Sequence, residues 1–238
     1  GNTTQGTNSV AVGSSAGVTS QGTDAVAIGR EAGYTTQGLG SVAVGLYAGQ
    51  TTQGLTSIAI GSNAARTDQG NDAVAIGTHA AYDTQTAQAI AIGYYAGYTT
   101  QGMYSVAIGS SAGNDNQGTN SVGIGYFAGR TTQGASAVAI GLQAGQGAQS
   151  TNSVAVGANA ARNTQGSSSV SIGYYAGNTA QGNSSVAVGQ AAASSNQGTY
   201  GVAMGYQAGQ TNQANYSVAM GYQAGMGSAT VGDFQGAS

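Results

Sequence analysis

The chain has 238 residues, 43 of them Gly, with no Pro, no Cys, 5% charged residues and a net charge of −3. Without Pro and a strict every-third Gly it is not collagen, and without a basic surface it has no means of gripping a phosphate backbone, so nucleic acid is excluded as a partner. No Lys occurs, which removes the phosphate-loop motif, and no run of 18 apolar residues could cross a membrane as a helix.

The first seven residues, Gly1 to Thr7, already carry a Thr-Thr-Gln-Gly phrase that recurs, intact or altered around its Gln, ahead of the later repeats. The chain therefore enters its pattern in mid-coil, and a solenoid entered in this way is expected to continue into more protein or to stack on another subunit. From Val10 onward one slot, here position 0, recurs every 16 residues: Val26, Val42, Ile58, Val74, Ile90, Val106, Val122, Val138, Val154, Val170, Val186, Val202 and Val218. Low-complexity disorder has no reason to hold such a phase. Three Gly per repeat, at about 1 kcal/mol each, argue against helix, as does a period that moves an apolar stripe around a helix surface.

The columns predict the coil. Positions −1 to +2 (Ser41-Val42-Ala43-Val44, for example) read as a short strand. Gly at +3, from Gly13 to Gly221, ends it at a bend. A second extended segment is expected over +4 to +6, ending near the Gly or Ala at +7. Alternation puts Val and Ile on one strand face and Ser or Ala on the other, so both faces are apolar. One lines a thin core and the other packs on a neighbouring chain. Volume favours Val and Ile inside; a very flat coil favours them outside, as an intersubunit seam.

The fold class that follows is all-β: a parallel β-solenoid, or β-roll, of fourteen 16-residue coils packed laterally with other chains. At about 4.8 Å per coil it would run roughly 67 Å. Like residues then stack. The invariant column at −5 predicts an amide ladder of Gln5, Gln21, Gln37, Gln53, Gln69, Gln85, Gln101, Gln117, Gln133, Gln149, Gln165, Gln181, Gln197 and Gln213. Aromatic residues gather in the variable columns +4, +5 and +8. There Tyr94, Tyr95, Tyr98, Tyr126, Phe127, Tyr174, Tyr175, Tyr206 and Tyr222 form a candidate binding surface. Beyond Gly225 the phase breaks, which divides the chain into a solenoid of residues 1–226 and an atypical cap or neck of 227–238.

Catalytic and metal chemistry find few residues. His79 is the one His, seven acids are dispersed, and Asp24 and Asp72 share a column three coils apart, about 14 Å. No enzyme, no metal and no cofactor are expected.

The phrases Asn8-Ser9-Val10-Ala11-Val12-Gly13, Asn120-Ser121-Val122-Gly123-Ile124-Gly125 and Asn152-Ser153-Val154-Ala155-Val156-Gly157 resemble the head repeats of trimeric autotransporter adhesins of the YadA type. Similar repeats occur in phage and viral fibre proteins. The resemblance implies a β-roll, three chains about an axis, and an adhesive surface outside the cell. The expected function is thus a structural extracellular fibre or filament subunit, a homo-oligomer as trimer or filament, located outside the cell, on its surface or in a virion fibre. An adhesin or tail-fibre segment binding a host-surface glycan or protein through its Tyr columns is the alternative, and ice binding through the Thr columns a third reading. No membrane insertion by this segment is expected.

Overall fold

The computed structural model describes residues 4–227. The stretch read as a cap lies outside the described residues from 228 onward. The chain forms two compact units, Gly1–Asn120 and Ser121–Ser238.

In the first unit a sheet of Val strands runs from Val10–Val12 to Val106–Ile108, each strand three residues long. Its strands are parallel and paired one repeat apart, Val10 with Val26, Val26 with Val42 and Val42 with Ile58. A second sheet is built from the dipeptides ending in Gln, from Ser20–Gln21 to Asn116–Gln117, again parallel and in register at 16 residues. The second unit repeats the design. Its Val strands run from Val122–Ile124 to Val218–Met220 and its Gln strands from Thr132–Gln133 to Thr211–Gln213. Both units are parallel β-solenoids, and no helix occurs among the described residues.

The second strand of each coil is therefore at −6 and −5, not at +4 to +6 as the sequence implied. The reason is local. Gly45 leaves the Val strand at φ +133°, Ala48 N–H closes a turn onto the Gly45 carbonyl at 3.4 Å, and Tyr47 within that turn has φ +58°. An extended segment cannot contain that turn. A matching turn leads back to the Val strand: Ser41 N–H and Ser41 Oγ both donate to the Gly38 carbonyl, at 3.3 and 2.7 Å. Each coil is thus two short strands joined by two tight turns.

The question of which strand face is interior resolves in favour of the flat coil. The Ala at +1 (Ala27, Ala43, Ala59) and at +6 (Ala32, Ala48, Ala64) is fully buried, as is the Ser at −1 (Ser41, Ser57). Val and Ile point outward, half-buried or exposed, with Val12 at 57% and Met220 at 52%. The largest fully buried side chains are not aliphatic at all; they are Gln53, Gln85, Gln101, Gln133, Gln149 and Gln165. Only residues this small let two sheets close on each other, and only an unbranched amide reaches across the gap.

Candidate functional site

Thirteen of the fourteen repeat Gln side chains, Gln21 to Gln213, are buried between the sheets, and Gln5 is exposed. The amide Nε2 spans the coil. Gln37 donates to the carbonyls of Val26 (2.7 Å) and Ser41 (3.4 Å), and Gln101 to those of Ile90 (2.6 Å) and Ser105 (3.5 Å). Both acceptors lie at the edges of the Val strand, so each Gln ties the Gln sheet to it.

Amide-to-amide bonds are added where the neighbouring column changes. Nε2 of Gln69 reaches Oε1 of Gln85 at 3.1 Å, and Gln85 reaches Gln101 at 2.9 Å. In the second unit Gln149 reaches Gln165, Gln181 reaches Gln197, and Gln197 reaches Gln213, each at 3.1 Å. Every one of these pairs contains a Gln that follows an Ala at +7: Ala65, Ala81, Ala161 or Ala193. Where +7 is Gly, a Cβ would stand 2.7–2.9 Å from the Gln Oε1, as at Gly17, Gly33 and Gly49. An Ala there excludes that placement of the oxygen, and Oε1 of Gln85, Gln165 and Gln197 instead accepts from the preceding amide of the stack.

Two outer surfaces remain. The first is the Val sheet, an apolar face on which positions 0 and +2 of every coil are accessible. Leu39 and Leu55 at −3 widen it, both about half exposed.

The second is the edge formed by +4, +5 and +8. In the first unit it carries a connected ribbon. Glu31 accepts from Gln50 Nε2 (2.8 Å), Gln50 Oε1 accepts from Arg66 Nε (2.8 Å), and Arg66 Nη1 donates to Tyr82 OH (2.6 Å). Tyr47 lies between the guanidinium groups of Arg30 and Arg66, 5.1 and 5.3 Å from its ring centre. Tyr82 stacks on Tyr98 at 5.0 Å, His79 on Tyr95 at 4.8 Å, and Tyr94 meets Tyr95 edge-on at 4.4 Å. The predicted trio Tyr94, Tyr95 and Tyr98 is thus one cluster. Burial and the nearby Arg66 hold His79 below the usual imidazole range, so it is neutral at pH 7. Burial raises the Tyr95 phenol, helped by its hydrogen bond to Tyr94.

The second unit distributes its aromatics. Tyr126 packs on Phe127 at 4.0 Å under Arg130, Tyr174 meets Tyr175 at 4.5 Å, and Tyr206 stacks on Tyr222 at 5.3 Å. Several of these rings sit on backbone in the left-handed region: Tyr47, Tyr95, Phe127 and Tyr175 have φ of 55–58°. For a bulky side chain that conformation costs about 1–2 kcal/mol.

The sequence reading singled out the rings and passed over the cations. Arg30, Arg66, Arg130 and Arg162 are all the basic side chains of the chain, and all fall at +4 or +8. That coincidence of columns was the available signal. Among the described residues no group of three or more His, Cys, Asp or Glu could hold a metal ion.

A sequence model of the YadA head domain repeat, in two copies, matches residues 1–16, 5–32 and 180–208. Comparison with curated proteins finds no match. Over those residues the chain is similar to YadA head repeats, and both units carry their 16-residue repeats on a parallel β-solenoid.

Proposed function

From a chain built of YadA-like head repeats, we propose that this protein is the structural segment of an extracellular fibre whose coils pack side by side with copies of the same chain. One observation carries the reading: along both sheets the small residue at +1 and the Ala at +6 face in, while the Val, Ile or Met at 0 and +2 faces out. A Val or Ile side chain that gains about 1.5–3 kcal/mol on full burial, and is still some 40% exposed, has roughly 0.6–1.2 kcal/mol left to gain. Exposure of that size is found at +2 in some coils, as at Ile28, Ile60, Ile140 and Ile172, with a half-buried residue at position 0 beside it, and summed along the sheet it is a driving force that another apolar surface can satisfy. A second copy offers the same periodic ridge at the same spacing, so like faces mesh without a new pattern. Head repeats of this family are parts of trimeric adhesins displayed at the cell surface, which favours a closed trimer over an open-ended filament. Such a role calls for no catalytic group.

Sedimentation velocity across a concentration series tests the reading. Wild-type protein is expected as a trimer or larger species. Ile58→Lys with Ile60→Lys, two charges on the outer face of one strand, is expected to lower the oligomer while the β circular-dichroism spectrum persists. A wild-type protein that stays monomeric at high concentration would overturn it.

A second reading, an adhesive head contacting host-surface glycan or protein, is favoured by the aromatic edge. Tyr94, Tyr126 and Tyr174 are about half exposed, and Tyr222 is 75% exposed, alongside Arg, Gln and Asn that can hydrogen-bond a ligand.

A further inference from the structure

Along the edge of the second unit one coil has no large side chain at +5 or +8. It places Ala191 at +5, the only Ala in that column of the chain, and Ser194 at +8. The coil before it carries Tyr174, Tyr175 and Asn178; the coil after it carries Gln207 and Gln210. Where aromatic rings occupy successive coils their centres stand 5.1–5.3 Å apart, as in Tyr200–Tyr216 and Tyr206–Tyr222. Omitting the side chain of one coil therefore leaves a slot of about 9.6 Å between flanking coils, with room for one further ring. The structure has a cleft of about 290 Å³ there, lined by Tyr175, Asn178, Gln190, Ala191, Ser194 and Gln210 among others.

The chemistry of the lining selects the occupant. One wall is aromatic, made of Tyr174 and Tyr175, whose rings meet edge-on at 84°. The remaining polar groups are amides and hydroxyls with no charge among them. Asn178 Nδ2 is committed to the Asn159 carbonyl at 2.9 Å, which fixes its carboxamide in place, and the exposed Gln190 beside Ala191 also lines the cleft. Arg162, one coil below Asn178, is engaged by Gln146 through Nε at 3.2 Å. Neutral donors and acceptors around one ring face suit a ligand that has an apolar C–H face and a rim of hydroxyls.

We propose that this notch binds the pyranose ring of a neutral glycan, a hexose or N-acetylhexosamine, stacked on Tyr175 with its hydroxyls bonded to Asn178, Gln190 and Gln210. The site gives the adhesive reading a ligand class and rests on that reading. A single shallow slot holds one sugar weakly, and copies of the chain held side by side multiply the contact.

The test is an array of neutral and acidic glycans probed with the whole chain. Two variants address the notch. Ala191→Tyr fills it at a column where Tyr47, Tyr95 and Tyr175 already occupy the same φ, and Tyr175→Ser removes the stacking face at a column that holds Ser15 and Ser111. Ser111→Ala, in the same column of the first unit and outside the notch and the aromatic clusters, is the control, and Tyr95→Ser probes the first unit's aromatic cluster. Neutral glycans are expected to bind wild-type protein and the control, and to lose about tenfold in signal with either notch variant, the scale of one aromatic contact. Neutral binding that is absent, or unchanged in both notch variants, overturns the site. Retention of acidic glycans alone, lost in Tyr95→Ser, overturns the notch and leaves the adhesive reading standing. Silence toward every glycan and toward host cells removes both.

Discussion

Two glycines four residues apart in one coil separate the reasons a solenoid needs glycine. Gly45 at +3 has φ +133°, and a Cβ added to it would lie 2.6 Å from the carbonyl oxygen and 2.8 Å from the carbonyl carbon of Gly61 in the next coil. Neither atom can yield, because Gly61 N–H is bonded to the Val44 carbonyl at 2.8 Å in the same corner. Gly49 at +7 has φ +52°, and its Cβ would meet the end of a side chain, Gln53 Oε1, at 2.9 Å. Four coils already carry Ala at +7, at φ of 45–47° and essentially fully buried. Gly49→Ala therefore costs about 1 kcal/mol of backbone strain, offset by roughly 0.4–1 kcal/mol from a less flexible unfolded chain. Its net effect is under about 1 kcal/mol, with Gln53 Oε1 turned toward the preceding amide of Gln37, as Oε1 of Gln85 is toward Gln69. Gly45→Ala costs about 1–3 kcal/mol for the forbidden φ and about 0.5–1.5 kcal/mol more for the corner hydrogen bond it opens, close to 3 kcal/mol together. Thermal and urea melts followed by circular dichroism, with hydrogen exchange over residues 40–62, read the difference. Because coils contact chiefly their neighbours, exchange is expected to rise first around Gly45 and Gly61. Equal melting of the two variants, or a Gly49→Ala protein as weakened as Gly45→Ala, would refute the distinction.

Gln101→Leu tests the proposed structural role of the Gln column: it strips the donor from the carbonyls of Ile90 and Ser105 and the acceptor from Gln85, at about 1–3 kcal/mol. Its melting temperature should fall, while Gln5→Leu, on an exposed coil, should not move it; an unchanged Gln101→Leu melt would deny the column a structural role. His79 gives a pH test. Its folded pKa lies below the unfolded 6.5, so the unfolded chain binds more protons between the two values. Stability from this residue is full above pH 6.5 and declines as pH falls through that window; NMR titration should place the His79 midpoint below 6.5, and His79→Gln should flatten the decline. A midpoint at or above 6.5 would contradict the placement of the ring among Tyr82, Tyr95 and Tyr98.

Period, the Val strand and parallel register were legible in the sequence, because a phase of 16 residues held at Val, Gly and Gln leaves one way to stack them. The orientation of the strand was not. Hydrophobicity alone cannot choose between Ala43 and Val44 as the inward residue, since burial of either is favourable. The choice is made by the opposite sheet, whose inward residue is Gln53 and not a second aliphatic. The Gln strand itself escaped notice because Thr52-Gln53 has no apolar alternation to mark it, only an amide whose partners, Val42 and Ser57, are distant in the repeat. On the edge, tyrosines were visible as a composition bias, but the slot beside Ala191 is defined by a missing side chain, and absence within a variable column carries no sequence signal.

An interior of alanines brings the sheets together without specifying how they align. A methyl group packs equally well against its neighbours in several registers, whereas an interior of Val and Ile would interlock by shape. The Gln amide supplies the missing direction. It has two N–H groups and places them on two particular carbonyls, one in the strand behind it and one at the turn ahead, so a coil that slips by one residue buries an amide with no acceptor. Such an error costs about 1–3 kcal/mol per coil. The shape-specific side chains are then free for the outside, where Val and Ile form the ridges that the proposed second chain would match. Coil register is thus set by hydrogen bonds within, and the proposed association by packing without, which lets the Tyr, Arg and Ala of the edge columns vary from coil to coil with no penalty to either.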